Sequence, residues 1–205
     1  MINVYIVRHG ETNTNLERKV NGSATDLPLN KRGVQQVKNL QANFITNKID
    51  CIYTSPLQRA QQTAKILNQK HHKPVIIDKR LTEMNYGNWD GQDAVLIKED
   101  YPQVFDELGF FKENYSDYCT GETFAHLANR LASFWDDLLN KHDEENVLLV
   151  CHGTVSRCLI QNTLHIEHIS QVGELQNAGV IKLIVSPISR QTYLHYYNRI
   201  APGIF

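Results

Sequence analysis

Apolar residues along this chain come in short bursts separated by longer stretches of helical spacing. Val4-Tyr5-Ile6-Val7 and Val147-Leu148-Leu149-Val150 are almost continuously apolar, as strands buried on both faces of a parallel sheet are. Shorter bursts over 50–54 and 74–78 predict two more strands, and 180–185 and 192–197 predict a closing pair. Between them the period changes. Val34, Val37, Leu40 and Phe44 give one apolar face to a helix that Asn30 is placed to cap. Ala60, Ala64 and Leu67 do the same for a helix from Leu57 to about Gln69. Phe124, Leu127, Leu131, Trp135 and Leu138 stripe a long helix over 122–140, and another helix runs from Thr154 to about Leu164. Strands alternating with helices predict a three-layer α/β/α sandwich with a mostly parallel central sheet. The 205 residues suit one domain over 1–205, with a lid-like insertion at about 92–121 where no period is sustained.

Two of the bursts end alike, in His9-Gly10 and in His152-Gly153. The crevice of an open α/β sheet lies outside the carboxyl ends of its strands, so both histidines are expected to face one hollow. Two more segments put reactive side chains past a strand or at a helix start, Ser55-Pro56-Leu57-Gln58-Arg59 and Leu81-Thr82-Glu83. With Arg8, the set holds two arginines, two histidines and one carboxylate. Guanidinium groups pair bidentately with phosphate oxygens, and a glycine after each histidine lets the backbone come close to a ligand. N–H groups at the start of the helix after His152 add donors for an anion.

Composition narrows the partners. A net charge of −1 offers no basic field for nucleic acid or an anionic membrane, and no apolar run is long enough to span a bilayer. The first strand begins at once, so no secretory leader is expected. Cys51, Cys119, Cys151 and Cys158 show no paired spacing and read as reduced thiols of a cytoplasmic protein.

The segment Arg8-His9-Gly10-Glu11-Thr12, followed in order by Asn15, the Ser55-to-Ala64 block with Arg59, Glu83, Gly87-Asn88-Trp89-Asp90-Gly91, Gly121-Glu122-Thr123 and His152-Gly153, resembles the histidine phosphatase superfamily in its phosphoglycerate-mutase-like branch. The resemblance covers essentially the whole chain. It implies that His9 is a nucleophile that becomes phosphohistidine, that Arg8, Arg59 and His152 clamp the phosphoryl oxygens, and that Glu83 is the proton donor. It also implies that Asn15, Asn21, Gly22 and Gly153 contact the phosphate or the proximal substrate. Between Gly22 and Pro28 this chain is one residue longer than the common pattern.

Either histidine alone is equally well explained as a structural core residue; the ordered set is not. A metal is disfavoured by two arginines in the same hollow, and no cofactor is expected. Cys151 and His152 are neighbours on a strand and point to opposite faces, which rules against a Cys/His dyad. Glu11 receives no catalytic role, and Trp89 reads as a packing anchor. Three functions follow: a phosphomonoesterase for a small phosphorylated metabolite, a cofactor-dependent phosphoglycerate mutase, or a phospho-ligand binder without turnover. The complete catalytic set disfavours the binder. The 92–121 segment holds seven acidic residues against Lys98 and Lys112, and an acidic lid disfavours the mutase. The 193–197 strand is a candidate sheet edge through which two copies could pair as a homodimer.

Overall fold

In the computed structural model, which describes residues 1–44 and 48–201, six strands form one sheet in the order β3-β2-β4-β1-β5-β6. They are β1 (Ile2–Arg8), β2 (Cys51–Thr54), β3 (Val75–Ile77), β4 (Asn146–Cys151), β5 (Val180–Val185) and β6 (Thr192–Arg199). The first four run parallel; β5 joins β1 antiparallel, and β6 joins β5 antiparallel at the sheet edge. The expected sandwich with a mostly parallel sheet is thus the observed one.

Alternation along β1 and β4 feeds two cores. Val4 and Ile6, with Val147, Leu149 and Cys151, pack under α5 (Phe124–Lys141) and α6 (Gly153–Leu164). Tyr5 and Val7, with Leu148 and Val150, pack under α2 (Lys31–Asn43) and α3 (Gln58–Asn68). Both faces are covered, which is why these strands read as unbroken apolar runs. The similar burst at β3 has a different fate. Val75, Ile76 and Ile77 are 46%, 40% and 54% exposed at the sheet edge.

Helix starts follow the cap chemistry. Asn30 Oδ1 accepts from Gly33 N–H at 2.7 Å, as the sequence predicts. The long helix begins at Phe124, two residues later than expected, because Thr123 Oγ1 caps it by accepting from His126 N–H at 3.1 Å. Glu122 instead accepts from Arg130 Nε at 2.7 Å. Two short helices escaped the periodicity: α1 (Asn13–Leu16), started by a Thr12–Asn15 capping box, and α4 (Ala94–Asp100), capped by Asp93. Around α4 the 92–121 segment continues in 3₁₀ turns and an aromatic cluster, in which Phe111 stacks on Trp89 at 5.5 Å and lies 5.3 Å from Tyr115. Trp89, 3% exposed, is a packing anchor.

The register fixes the site. Arg8 pairs with Cys151, and His9 N–H donates to the Cys151 carbonyl at 3.0 Å, so both His-Gly turns leave neighbouring strand ends. The loop after β1 is pressed onto α2 so closely that a Cβ on Gly33 would stand 2.1 Å from the Glu11 carbonyl oxygen. Glycine is needed there for space; its backbone is ordinary.

Candidate active site

A cavity of about 320 Å³ opens over the carboxyl ends of β1 and β4. Of the sequence-predicted residues, Arg8, His9, Asn15, Asn21 and Glu83 line it. Arg59, His152, Gly22 and Gly153 lie directly behind this lining, so all nine gather in one place.

His9 is 2% exposed, and its Nδ1 lies 2.7 Å from the Gly10 carbonyl oxygen. A carbonyl only accepts, so Nδ1 carries the proton and Nε2 keeps a bare lone pair. Burial pulls the His9 pKa well below its ordinary 6.5, and the charges of Arg59 and Arg8 lower it further. The ring stays neutral and can act as a nucleophile.

His152 is fully buried, with its ring centroid 5.2 Å from that of His9. Arg59 Nε–H donates to its Nδ1 at 3.3 Å, which leaves the proton on Nε2 to be donated to Ser55 Oγ at 2.7 Å. Its pKa is also well below 6.5, through burial and then Arg59. Arg59 is itself completely buried. Its guanidinium donates to the carbonyls of Gly22 at 3.0 Å, Asn21 at 3.3 Å and Thr25. It therefore fixes the 21–25 loop and the His152 tautomer from behind.

Glu83 is 6% exposed. Its Oε1 accepts from Met84 N–H at 2.8 Å and its Oε2 from Thr154 N–H at 3.2 Å, in the first turn of α6. Burial raises its pKa above 4.5, against the opposing effects of these N–H groups and of Arg59. A carboxyl so placed holds a proton more readily than a surface glutamate.

Two buried side-chain atoms lack a partner among the described residues, Arg8 Nε and Asn21 Oδ1. Unpaired buried polar atoms are costly unless a ligand meets them, and both belong to residues lining the cavity. Asn15 is committed locally, since its Oδ1 accepts from Thr12 N–H at 3.1 Å. Glu11 has a structural task. It accepts from Asn30 Nδ2 at 2.9 Å and pairs with Arg32 at 3.2 Å, tying the β1 loop to α2. Cys151 faces the core, where burial pushes its thiol far up, and it takes no part in the cavity.

No acidic side chain of the 92–121 segment lines this cavity. Ala94, Phe105, Gly109, Phe110 and Phe111 supply its wall there, while Arg18, Lys19 and Arg157 bring positive charge. The segment's acidity is therefore a weaker argument against an anionic substrate than composition suggests. Sequence reasoning also passed over Arg157, Glu174 and Asn177. Arg157 lies four residues after Gly153 on α6, hence on the same face. Glu174 and Asn177 precede β5, and the start of an antiparallel strand sits at the carboxyl ends of its parallel neighbours. Topology could have pointed to both. Among the described residues no group of three or more His, Cys, Asp or Glu side chains could hold a metal ion.

A sheet of this order with a cationic hollow floored by neutral histidine defines an anion-handling α/β protein. The chain belongs to the histidine phosphatase superfamily: the sequence model of its branch 1 matches residues 4–198. A Bacillus subtilis (strain 168) protein described as uncharacterized phosphatase PhoE is 32% identical over 160 residues, covering 78% of this chain and 76% of its own. Probable phosphoglycerate mutase GpmB of Enterobacter sp. (strain 638) is 32% identical over 170 residues, covering 80% and 75%. Among solved structures, Bacillus stearothermophilus YhfR matches with a TM-score of 0.86 at 26% identity over 98% of each chain.

Proposed function

We propose that this chain hydrolyses a small phosphorylated metabolite through a phosphohistidine on His9, with Glu83 as the acid and base. The observation that carries the reading is the Gly10 carbonyl holding the Nδ1 proton of a neutral His9, so that the Nε2 lone pair is free beside a cationic wall. Nε2 attacks phosphorus, the bond from phosphorus to the ester oxygen breaks, and Glu83 gives its proton to that oxygen. Water then attacks the phosphohistidine and loses a proton to Glu83 as the P–N bond breaks, releasing phosphate and restoring both groups. Phosphoryl transfer asks mainly for positioning and charge stabilisation, which Arg8, Arg157 and the first turn of α6 supply. Arg59 and His152 act from behind the lining, through the 21–25 loop and the floor. Asn15, Asn21, Gly22 and Gly153 shape the phosphoryl end of the cavity. The 92–121 segment acts as the lid, with Phe105, Phe110 and Phe111 against an apolar or sugar-like body.

The test is chemical trapping. With labelled substrate and a quench that spares phosphohistidine, the wild-type chain is expected to retain label and His9→Ala to retain none and turn over nothing. Label retained without His9 would overturn the assignment. A mutase reading is favoured by Arg18 and Lys19 at the mouth. Hydrolysis of a phosphomonoester panel without 2,3-bisphosphoglycerate decides for the hydrolase; turnover dependent on it decides for the mutase. Among the described residues no helix is long and apolar enough to cross a membrane. Four free cysteines, three of them buried, support a reducing, cytoplasmic setting.

A further inference from the structure

One carboxylate in the cavity has no part in the reaction above. Glu174 Oε2 stands 3.2 Å from Arg8 NH1, and its Oε1 lies 2.0 Å from where a side chain on Gly153 would begin. It thus sits between the Arg8 guanidinium and the first residue of α6, the two features a phosphoryl oxygen has to reach. Gly153 makes the placement possible, since a Cβ would also come within 2.8 Å of the Glu174 carboxyl carbon. The charge of Glu174 is felt at Glu83, whose pKa it helps to raise.

Glu174 is not needed to hold its own loop. Among the described residues its side chain has Arg8 as its one polar partner, and it is 30% exposed. The loop is anchored by its backbone instead. Arg8 NH1 donates to the Leu175 carbonyl, Tyr197 Oη to the Gly173 carbonyl, and Gln176 N–H to Asn198 Oδ1 at 3.0 Å. A carboxylate without a structural duty, in contact with the arginine of an anion site, repels any second anion brought there.

We propose that Glu174 is an internal competitor for the phosphoryl position: its carboxylate takes the place of a phosphoryl oxygen on Arg8, the ester displaces it on binding, and its return helps phosphate leave. This sets the selectivity of the site for esters with enough further contacts to displace it, and keeps affinity for free phosphate low. The proposal rests on the reading of this cavity as a phosphoryl site.

The experiment is titration of inorganic phosphate, followed by calorimetry, into the wild-type chain, Glu174→Gln and Glu174→Asp, each also in a His9→Ala background. Removing a carboxylate paired with a charged donor is expected to tighten phosphate binding about tenfold in Glu174→Gln. Glu174→Asp, one methylene short of Arg8, is expected to show a smaller gain. Among the three chains that keep His9, the inhibition constant of phosphate against p-nitrophenyl phosphate is expected to fall in parallel. A phosphate affinity that is unchanged or weaker in both variants overturns the proposal, as would a Glu174 that only braces Arg8. Since binding is read without turnover, hydrolysis retained in His9→Ala speaks against the phosphohistidine reading, whereas unchanged phosphate binding speaks against Glu174 alone.

Discussion

One carbonyl oxygen, that of Gly10, decides which nitrogen of His9 reacts, and no substitution at position 10 removes it. The residues that can be changed are the acid and the nucleophile. Glu83→Gln keeps the shape of the carboxyl but carries no transferable proton. Its kcat on an alkyl phosphate is expected to drop by about 10²–10⁴-fold, the usual worth of general acid catalysis. On p-nitrophenyl phosphate, whose leaving oxygen needs little protonation, the loss is expected to be far smaller. Comparing the two kcat ratios measures the proton transfer itself. Equal losses on both esters would show that Glu83 supports the site in some other way. The pH profile follows from the same two groups. His9 must be unprotonated, so kcat/KM rises with pH as the lowered His9 pKa is passed. Glu83 must be protonated, so kcat/KM falls as its raised pKa is passed. Rate measurements across pH are expected to show both limbs in the wild-type chain, and only the rising limb in Glu83→Gln.

Among the elements, those whose apolar residues keep a strict period were legible and those held by scattered contacts were not. The strands announce themselves as short apolar bursts, α2, α3 and α5 as apolar stripes of helical period, and Asn30 and Thr123 cap two of these helices. The 92–121 segment has no such signal. Tyr101, Phe111 and Tyr115 are spaced to meet Trp89 and Tyr86 across the fold, which only tertiary packing specifies. Arg8, His9, Arg59, Glu83, His152 and Gly153 were legible because each lies in a compact motif past a strand or at a helix start, whereas Asn15, Asn21 and Gly22 came only with the family resemblance. Arg157, Glu174 and Asn177 lie in no motif; one turn of α6 beyond Gly153 brings in Arg157, and the sheet order brings in Glu174 and Asn177. One element-level expectation tests the crossing of the β1 loop over α2. In Gly33→Ala the added methyl would meet backbone atoms of Glu11 at 2.1 and 2.6 Å, which no side-chain rotation relieves. A stability loss of at least about 1–3 kcal/mol is expected from such overpacking. Asn30→Ala, which removes only the cap of the same helix, is expected to cost about 1 kcal/mol. Urea melts of the two variants check the order, and Gly33→Ala must be the worse.

The whole molecule bears the consequence of burying these groups. His9 and His152 have folded-state pKa values well below 6.5, so under mild acid the unfolded chain takes up two protons that the folded chain refuses. Stability then falls as pH drops through 6.5, because the state that binds more protons gains. Glu83 acts the other way. Its pKa is raised above 4.5, so the folded chain holds a proton there that the unfolded chain releases, and stability falls as pH rises through that range. Where both effects operate, two histidine protons oppose one glutamate proton. The net slope is up to about 1.4 kcal/mol per pH unit, with stability lost toward acid. Denaturant melts at pH 7 and pH 5 are expected to show a lower midpoint at pH 5. In His9→Ala one of the two histidine protons is gone, and the difference between the two midpoints is expected to shrink. A variant as acid-sensitive as the wild-type chain would place the sensitivity outside the cavity floor.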